Sequence, residues 1–258
     1  MERKKILFAA DLDNTLIFSR RHRRPGDICV EYLDGAEQGF TTPEAWQDLL
    51  HAVSAAVTLL PVTTRSIAQY ERIRWPDGAR PAYAVTTNGG ILLDRGVPDP
   101  DWLTVSLRLT IPYRPEFVRL SAELPKYPWC LRQKMVDGLY LFAVCPEGQP
   151  MEPIKALLQP RTSLTVESSG RKLYFFPPVF HKGAAVSQLR QRFQSSYLIA
   201  AGDSPLDLPM LSQADLALVP TQDLARRLPG INVQICPVSE PFPNFVLRSV
   251  LSFAARHA

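Results

Sequence analysis

The sequence predicts an α/β fold: a Rossmann-like parallel-sheet core interrupted by an inserted α+β cap. Three observations carry this. Charge-free apolar runs such as "ILFAA" (6–10), "VTLLP" (57–61) and "LALV" (216–219) are too short for typical helices and suit strands buried on both faces. Helical patterns separate them, as the right-handed crossovers of a parallel sheet require. Between residues 91 and 178 the texture changes to alternating stretches around helical segments, the pattern of an antiparallel sheet in an α+β unit.

The elements follow in order. After the strand at 6–10, residues 19–42 read as an irregular insertion. It holds the basic run "RRHRR" (Arg20, Arg21, His22, Arg23, Arg24) and a hairpin, "ICVEYLDGAEQGF", turning at Asp34-Gly35. Thr42 caps a helix with Pro43 in its first position and Glu44 in its first turn. Leu49, Leu50, Val53 and Val57 recur along it at helical spacing. "VTLLPVTTRS" is a second strand ending in hydroxyls and an arginine. "AYAVTTNGGILL" is a third, broken at Asn88-Gly89-Gly90.

The core is therefore expected in two pieces, residues 1–90 and 179–258, around a cap at 91–178. Within the cap, "TVSLRLTI" and "GLYLFAV" read as alternating strands, with helices near 115–124 and 153–158. "SLTVESSGRKLYFFP" reads as a hairpin turning near Gly170. The core rhythm returns with the amphipathic helix "KGAAVSQLRQRF", the strand–loop–helix "SYLIAAGDSPLDLPML", the strand "ADLALVP" and a last helix over 244–256.

Composition bounds the function. The chain has 258 residues, enough for a sizeable core; 46% are hydrophobic and 21% charged. A net charge of +4 falls short of the dense basic stripe of a dedicated nucleic-acid binder. No stretch approaches the roughly 18 apolar residues of a membrane span. The apolar run behind "MERKK" is too short for a signal segment. The four cysteines are scattered with no CxxC pair, which fits buried free thiols in a reducing compartment. A cytoplasmic protein is expected, with its oligomeric state open.

The polar residues cluster where ligands bind in parallel sheets, at the carboxyl ends of strands. Asp11 and Asp13 follow the first strand, Thr63-Thr64-Arg65 the second, and "GDSPLD", with Asp203 and Asp207, the fourth; Lys182 opens the helix before it. Each piece alone is unspecific. An acidic pair is a common loop, and Gly, Asp, Ser and Pro all favour turns. Their order is the informative fact.

In that order and spacing, "DLDNT", "VTTRS", "HKGAAV" and "GDSPLDLPML" resemble the four motifs of the haloacid dehalogenase superfamily of phosphotransferases, over the span from Asp11 to Leu211. A cap between the second and third motifs, with "TTNGG" at 86–90, is similar to the type IIB branch. That branch includes Cof-like, sucrose-phosphate and mannosyl-3-phosphoglycerate phosphatases and the phosphomannomutases.

The resemblance implies a Mg²⁺-dependent phosphatase working through an aspartyl phosphate. Asp11 would attack phosphorus, and Asp13 would protonate the leaving alcohol and then deprotonate water. Thr63 and Lys182 would hold the phosphoryl group. Asp11, Asp203 and a backbone carbonyl at Asp13 would supply hard oxygen ligands to the metal. Asp207 would orient Lys182 or metal-bound water. Arg65 and Asn88, near the hinges, are candidates for substrate contact. Arg132, Lys134, Arg171 and Lys172 lie on expected cap strands and are weaker ones. The basic run at 20–24 reads either as a solvated loop or as a field that recruits a substrate with further negative charge.

Two positions depart from the branch's pattern. Leu206 stands before the last acid where Asn is common, and Thr64 where Gly is usual. The expected partner is a small phosphate ester, most simply a sugar or polyol phosphate. A phosphomutase, and a catalytically weak metabolite- or partner-binding member, are the alternatives.

Overall fold

All five residues of Ile6–Ala10 are buried, and this strand lies inside a five-stranded sheet. The order is Val233–Ile235, Leu216–Val219, Tyr197–Ala201, Ile6–Ala10, Val57–Pro61, and every pairing is parallel. This is a computed structural model, and the described residues are 5–54 and 57–257. Residues 1–4, with most of the basic N-terminal stretch, and the side chain of Val53 lie outside them.

Alternate side chains of the strands enter two apolar layers. Phe8 and Leu59 join Leu49 of the helix Pro43–Ser54 and Val246 and Val250 of the helix Phe242–His257. Leu7 and Leu60 join Ala185, Val186 and Leu189 of the helix Lys182–Arg192. Apolar side chains on both faces are what made these strands legible. The Thr42 hydroxyl accepts the Ala45 N–H at 3.1 Å, so the first helix starts as expected. Val57 is not its last turn but the first residue of the next strand, and Leu50 points outward.

The insertion after the first strand is ordered into a three-stranded flap. Ala36–Thr41 is its middle strand, between Phe18–Ser19 and Ile28–Leu33. Its hairpin turns at Asp34 and Gly35, both with positive φ.

Two readings of the next segment change. "AYAVTTNGGILL" is a hairpin rather than one broken strand: Tyr83–Thr86 pairs antiparallel with Ile91–Asp94, which pairs with Val97–Pro98. Ile91, Leu92 and Leu93 are buried in the core layers. "TVSLRLTI" is not a strand but most of the helix Pro100–Thr110. The Asp99 carboxylate accepts the Trp102 N–H at 3.0 Å, and Pro100 stands in the first turn. Those start signals outweigh the period-two pattern that follows them.

The cap sheet is antiparallel, in the order Thr165–Ser169, Lys172–Phe176, Tyr140–Val144, Arg132–Val136. One face, with Leu141, Leu173 and Phe175, packs with Phe117, Leu120, Ile154 and Leu158 of the helices Arg114–Glu123 and Met151–Leu158. Tyr140, Tyr174 and Phe176 of the other face meet Leu206 of the core. Among the described residues no helix is long and apolar enough to cross a membrane.

Candidate active site

Asp11 leaves the carboxyl end of the first strand with its N–H donated to the Ala201 carbonyl at 3.0 Å. The chain then turns sharply. The Leu16 and Ile17 N–H groups both donate to the Leu12 carbonyl, and Asn14 adopts a φ of 59°. This loop brings Asp11 and Asp13 into one cleft of about 650 Å³ with Arg65, Lys182, Asp203 and Leu206.

Lys182 is the cation at the floor. It is 1% exposed, and its Nζ lies 2.7 Å from Asp11 Oδ1 and 2.6 Å from Asp207 Oδ1. Burial opposes its charge, but Asp11 and Asp207 outweigh burial and push its pKa upward, so it is held as an ammonium. Asp207 uses its other oxygen to accept the N–H groups of Asp203 and Ser204 and the Ser204 hydroxyl, at 3.0–3.1 Å. Asp207 therefore fixes both Lys182 and the loop that presents Asp203. Two glycines make the approach possible. A Cβ on Gly183 would lie 2.0 Å from the Pro209 carbonyl oxygen, and one on Gly202 would lie 2.4 Å from the Asp207 Cβ.

Asp13 opens onto the cleft, its side chain 50% exposed, and Arg65 grips it. Arg65 Nε and Nη2 donate to the two Asp13 oxygens at 2.9 and 2.8 Å, and Nη2 also donates to Glu31 at 2.9 Å. The enclosing protein pushes the Asp13 carboxyl up, but the hydrogen bonds and charge of Arg65 outweigh this and hold it below its usual range. Asp13 is therefore ionised here. Glu31, 3% exposed, is held in turn by Arg72. The sequence reading did not single out this flap glutamate. A register shift on both sides of it turns Val30 and Glu31 inward together, against the strand's alternation.

Thr63 is fully buried at the strand end, and its hydroxyl accepts the Arg65 N–H at 3.1 Å. Thr64, rather than Thr63, lines the cleft. Asn88 requires a correction. It does not line the cleft but is 3% exposed in the hinge turn, where its amide donates to the Phe180 carbonyl at 3.0 Å. Its φ of 56° places it in the left-handed region of that turn, away from the cleft. Arg21 and His22 of the basic run reach the cleft, while Arg23 pairs with Glu37 at 2.7 Å. From the cap, Arg132, Tyr140, Phe142, Arg171, Lys172 and Tyr174 complete the wall. Lys134 does not line it.

The donor set fits a hard divalent cation. Carboxylate oxygens of Asp11, Asp203 and Asp207 lie within 4.8 Å of one another, and one ammonium faces three acids. Burial, then repulsion from Asp207, pushes the Asp203 carboxyl up to about 7. Burial also raises Asp11, against the pull of Lys182. Asp203 therefore favours ionisation when a further cation stands beside it. Both Asp207 oxygens are already engaged, so Asp11 and Asp203 are the carboxylates left to hold one.

No protein-family model and no curated protein matches the sequence. Solved structures do match in shape. A sucrose-phosphatase from Synechocystis sp., solved with sucrose and phosphate, aligns at a TM-score of 0.69 and 15% identity, over 97% of this chain and 98% of that one. The C-terminal domain of trehalose-6-phosphate phosphatase from C. albicans aligns at 0.62 and 15%, over 100% and 94%. A phosphatase of the haloalkanoate dehalogenase superfamily from Bacteroides thetaiotaomicron aligns at 0.60 and 14%, over 98% and 96%. At such identities the likeness is one of fold. The chain has the fold of the haloacid dehalogenase superfamily phosphatases, with a parallel core and an α+β cap over the strand ends.

Proposed function

We propose that the protein is a Mg²⁺-dependent phosphomonoesterase acting on a small phosphorylated metabolite through an aspartyl phosphate. One observation carries the reading. Asp11 is tied to a buried lysine at 2.7 Å, with Asp203 beside it and Asp13 on the cleft wall, all at the carboxyl end of the sheet. A sugar or polyol phosphate is the favoured substrate class, because the cleft is small and roofed by the cap. The sucrose- and trehalose-phosphate phosphatases share the fold. The four cysteines are free, in keeping with a cytoplasmic protein.

The residues divide the work. An Asp11 oxygen attacks phosphorus while the ester P–O bond breaks, and the leaving oxygen takes a proton from Asp13. Asp13 then takes a proton from water. The water oxygen attacks phosphorus, the bond to Asp11 breaks, and inorganic phosphate leaves. Asp13 must therefore gain a proton that Arg65 now disfavours. A phosphoryl dianion beside the pair competes for the guanidinium and raises Asp13 toward protonation. Lys182 balances charge on Asp11 and the phosphoryl oxygens, and the buried Thr63 hydroxyl, by accepting the Arg65 N–H, positions Arg65 beside them. Asp11, Asp203 and the Asp13 carbonyl would hold Mg²⁺, which when bound neutralises charge between nucleophile and phosphate.

Phosphate release from a panel of sugar, polyol and nucleotide phosphates, with Mg²⁺ or EDTA, tests this. Release should need the metal and fall at least about a thousandfold in Asp11→Asn. Folded, metal-supplied protein that releases phosphate from none of them would mark it instead as a binding member of the fold.

A further inference from the structure

The cap presents two cations to the cleft that the proposed chemistry does not use. Arg132 and Lys172 lie on different strands but in one row, since both are directly opposite Val144. Opposed residues of an antiparallel sheet share a face, and this row continues to Ser169, opposite Lys172. It lies on the face that carries Tyr140, Phe142 and Tyr174, and all of these residues line the cleft.

Four other cleft cations are matched: Lys182 has Asp11 and Asp207, Arg65 has Asp13 and Glu31, Arg72 has Glu31, and Arg21 has Glu147 at 3.1 Å. Arg171, in the turn beside Lys172, has no carboxylate among the described residues and donates its Nε to the Cys145 carbonyl at 3.0 Å. Among the described residues no carboxylate pairs with Arg132 or Lys172. The Lys172 ammonium instead stands 5.7 Å from the Phe142 ring centroid. Burial lowers its pKa, and the charges of Arg65 and Arg132 add to that against the pull of Asp13 and Glu31. Two cations in one row, one of them partly buried, are unfavourable together unless an anion joins them. They stand on the roof, whereas the attacking carboxylate and its lysine stand on the floor. An anion bound there belongs to the leaving group, not to the phosphoryl group transferred at Asp11.

Resting on the phosphatase reading, we infer that the substrate carries a second anionic group, a carboxylate or a second phosphate, received by Lys172 and Arg132 with the Ser169 hydroxyl beside them. Phe142 and Tyr174 form the wall along which the connecting carbon skeleton lies.

Binding and turnover test this separately. Calorimetric titration of the Asp11→Asn protein with Mg²⁺ compares glucose 6-phosphate, 6-phosphogluconate and glucose 1,6-bisphosphate. The two doubly anionic compounds should bind at least tenfold more tightly than glucose 6-phosphate, and whichever binds tighter identifies carboxylate or phosphate. In the additional presence of Lys172→Met and Arg132→Gln, that preference should fall to near one. Arg132 is exposed and Lys172 partly exposed on the cleft wall, so neither substitution opens a cavity in the core. Equal affinity for all three compounds, no binding of any, or a preference that survives the double substitution would overturn the inference. Phosphate release by the unsubstituted protein is read alongside. Selective binding without release would sink the phosphatase reading and leave the anion site standing.

Discussion

His181 caps the helix that carries Lys182, and its ring titrates where that buried lysine does not. Nδ1 accepts the Ala184 N–H at 3.1 Å, which requires a neutral ring protonated on Nε2. Burial holds its pKa below the ordinary value. The cap therefore contributes fully above the unfolded value of about 6.5 and is lost as pH falls through the lower folded value. Asparagine caps equally well and does not titrate. His181→Asn should match the wild type near neutral pH and exceed its stability by up to about 1 kcal/mol near pH 5. Denaturant melts at both pH values measure this, and parallel profiles would show that the ring does not act as an acceptor. At this scale the sequence was most informative where chemistry fixes spacing. Asp11, Asp13, Lys182, Asp203 and Asp207 all converge as their motifs implied. It was silent on Glu31, because a bulge, not an alternation, buries that carboxylate.

Between elements, the departure at Leu206 acquires a physical account. The side chain is 8% exposed and packs against Val136, Tyr140, Tyr174 and Phe176 of the cap. Nearby, the Tyr140 hydroxyl donates to the Thr64 carbonyl at 2.6 Å. The Asp137 carboxylate accepts the Ile67 N–H at 3.2 Å and the Thr87 hydroxyl at 2.7 Å. The cap is thus seated on the core by an apolar contact at the loop that bears Asp203, where an amide would meet aromatic rings. Leu206→Ala should cost about 2 kcal/mol, the low end for a buried leucine because a contact between units can relax. Hydrogen exchange should rise in Tyr140–Val144 and in Pro205–Asp207 but not in Ile6–Ala10. Unchanged exchange in the cap strand would mean that Leu206 does not seat it. Element boundaries were legible where a cap or turn marked them, as at Thr42 and Asp34-Gly35. They were lost where a helix carried strand-like alternation over residues 104–111. They were lost again where Asn88-Gly89-Gly90 joined two paired strands instead of ending a unit.

For the whole molecule, folding assembles acids that only a cation makes comfortable, so stability and metal binding should be linked through pH. Asp203 is held up at about 7, first by burial and then by Asp207, against about 3.9 for a free carboxylate. A raised folded value means that this group's contribution is complete at acid pH and is lost as pH rises through 7 in the metal-free protein. Mg²⁺ held by Asp203, as proposed above, would bind the ionised carboxylate and compete with that proton. Its stabilisation follows the ratio of free metal to apparent dissociation constant, and that constant weakens about tenfold for each pH unit below 7 when one proton is displaced. Millimolar Mg²⁺ should therefore raise the melting temperature little near pH 6 and by several degrees near pH 8, with EDTA reversing the gain. Asp203→Asn should remove both the gain and its pH dependence, and the metal-free variant should no longer lose stability between pH 6 and 8 to the same extent. A shift that is equal at both pH values, or that persists in the variant, would place the cation away from Asp203 and undo the assignment of Asp11 and Asp203 as its ligands.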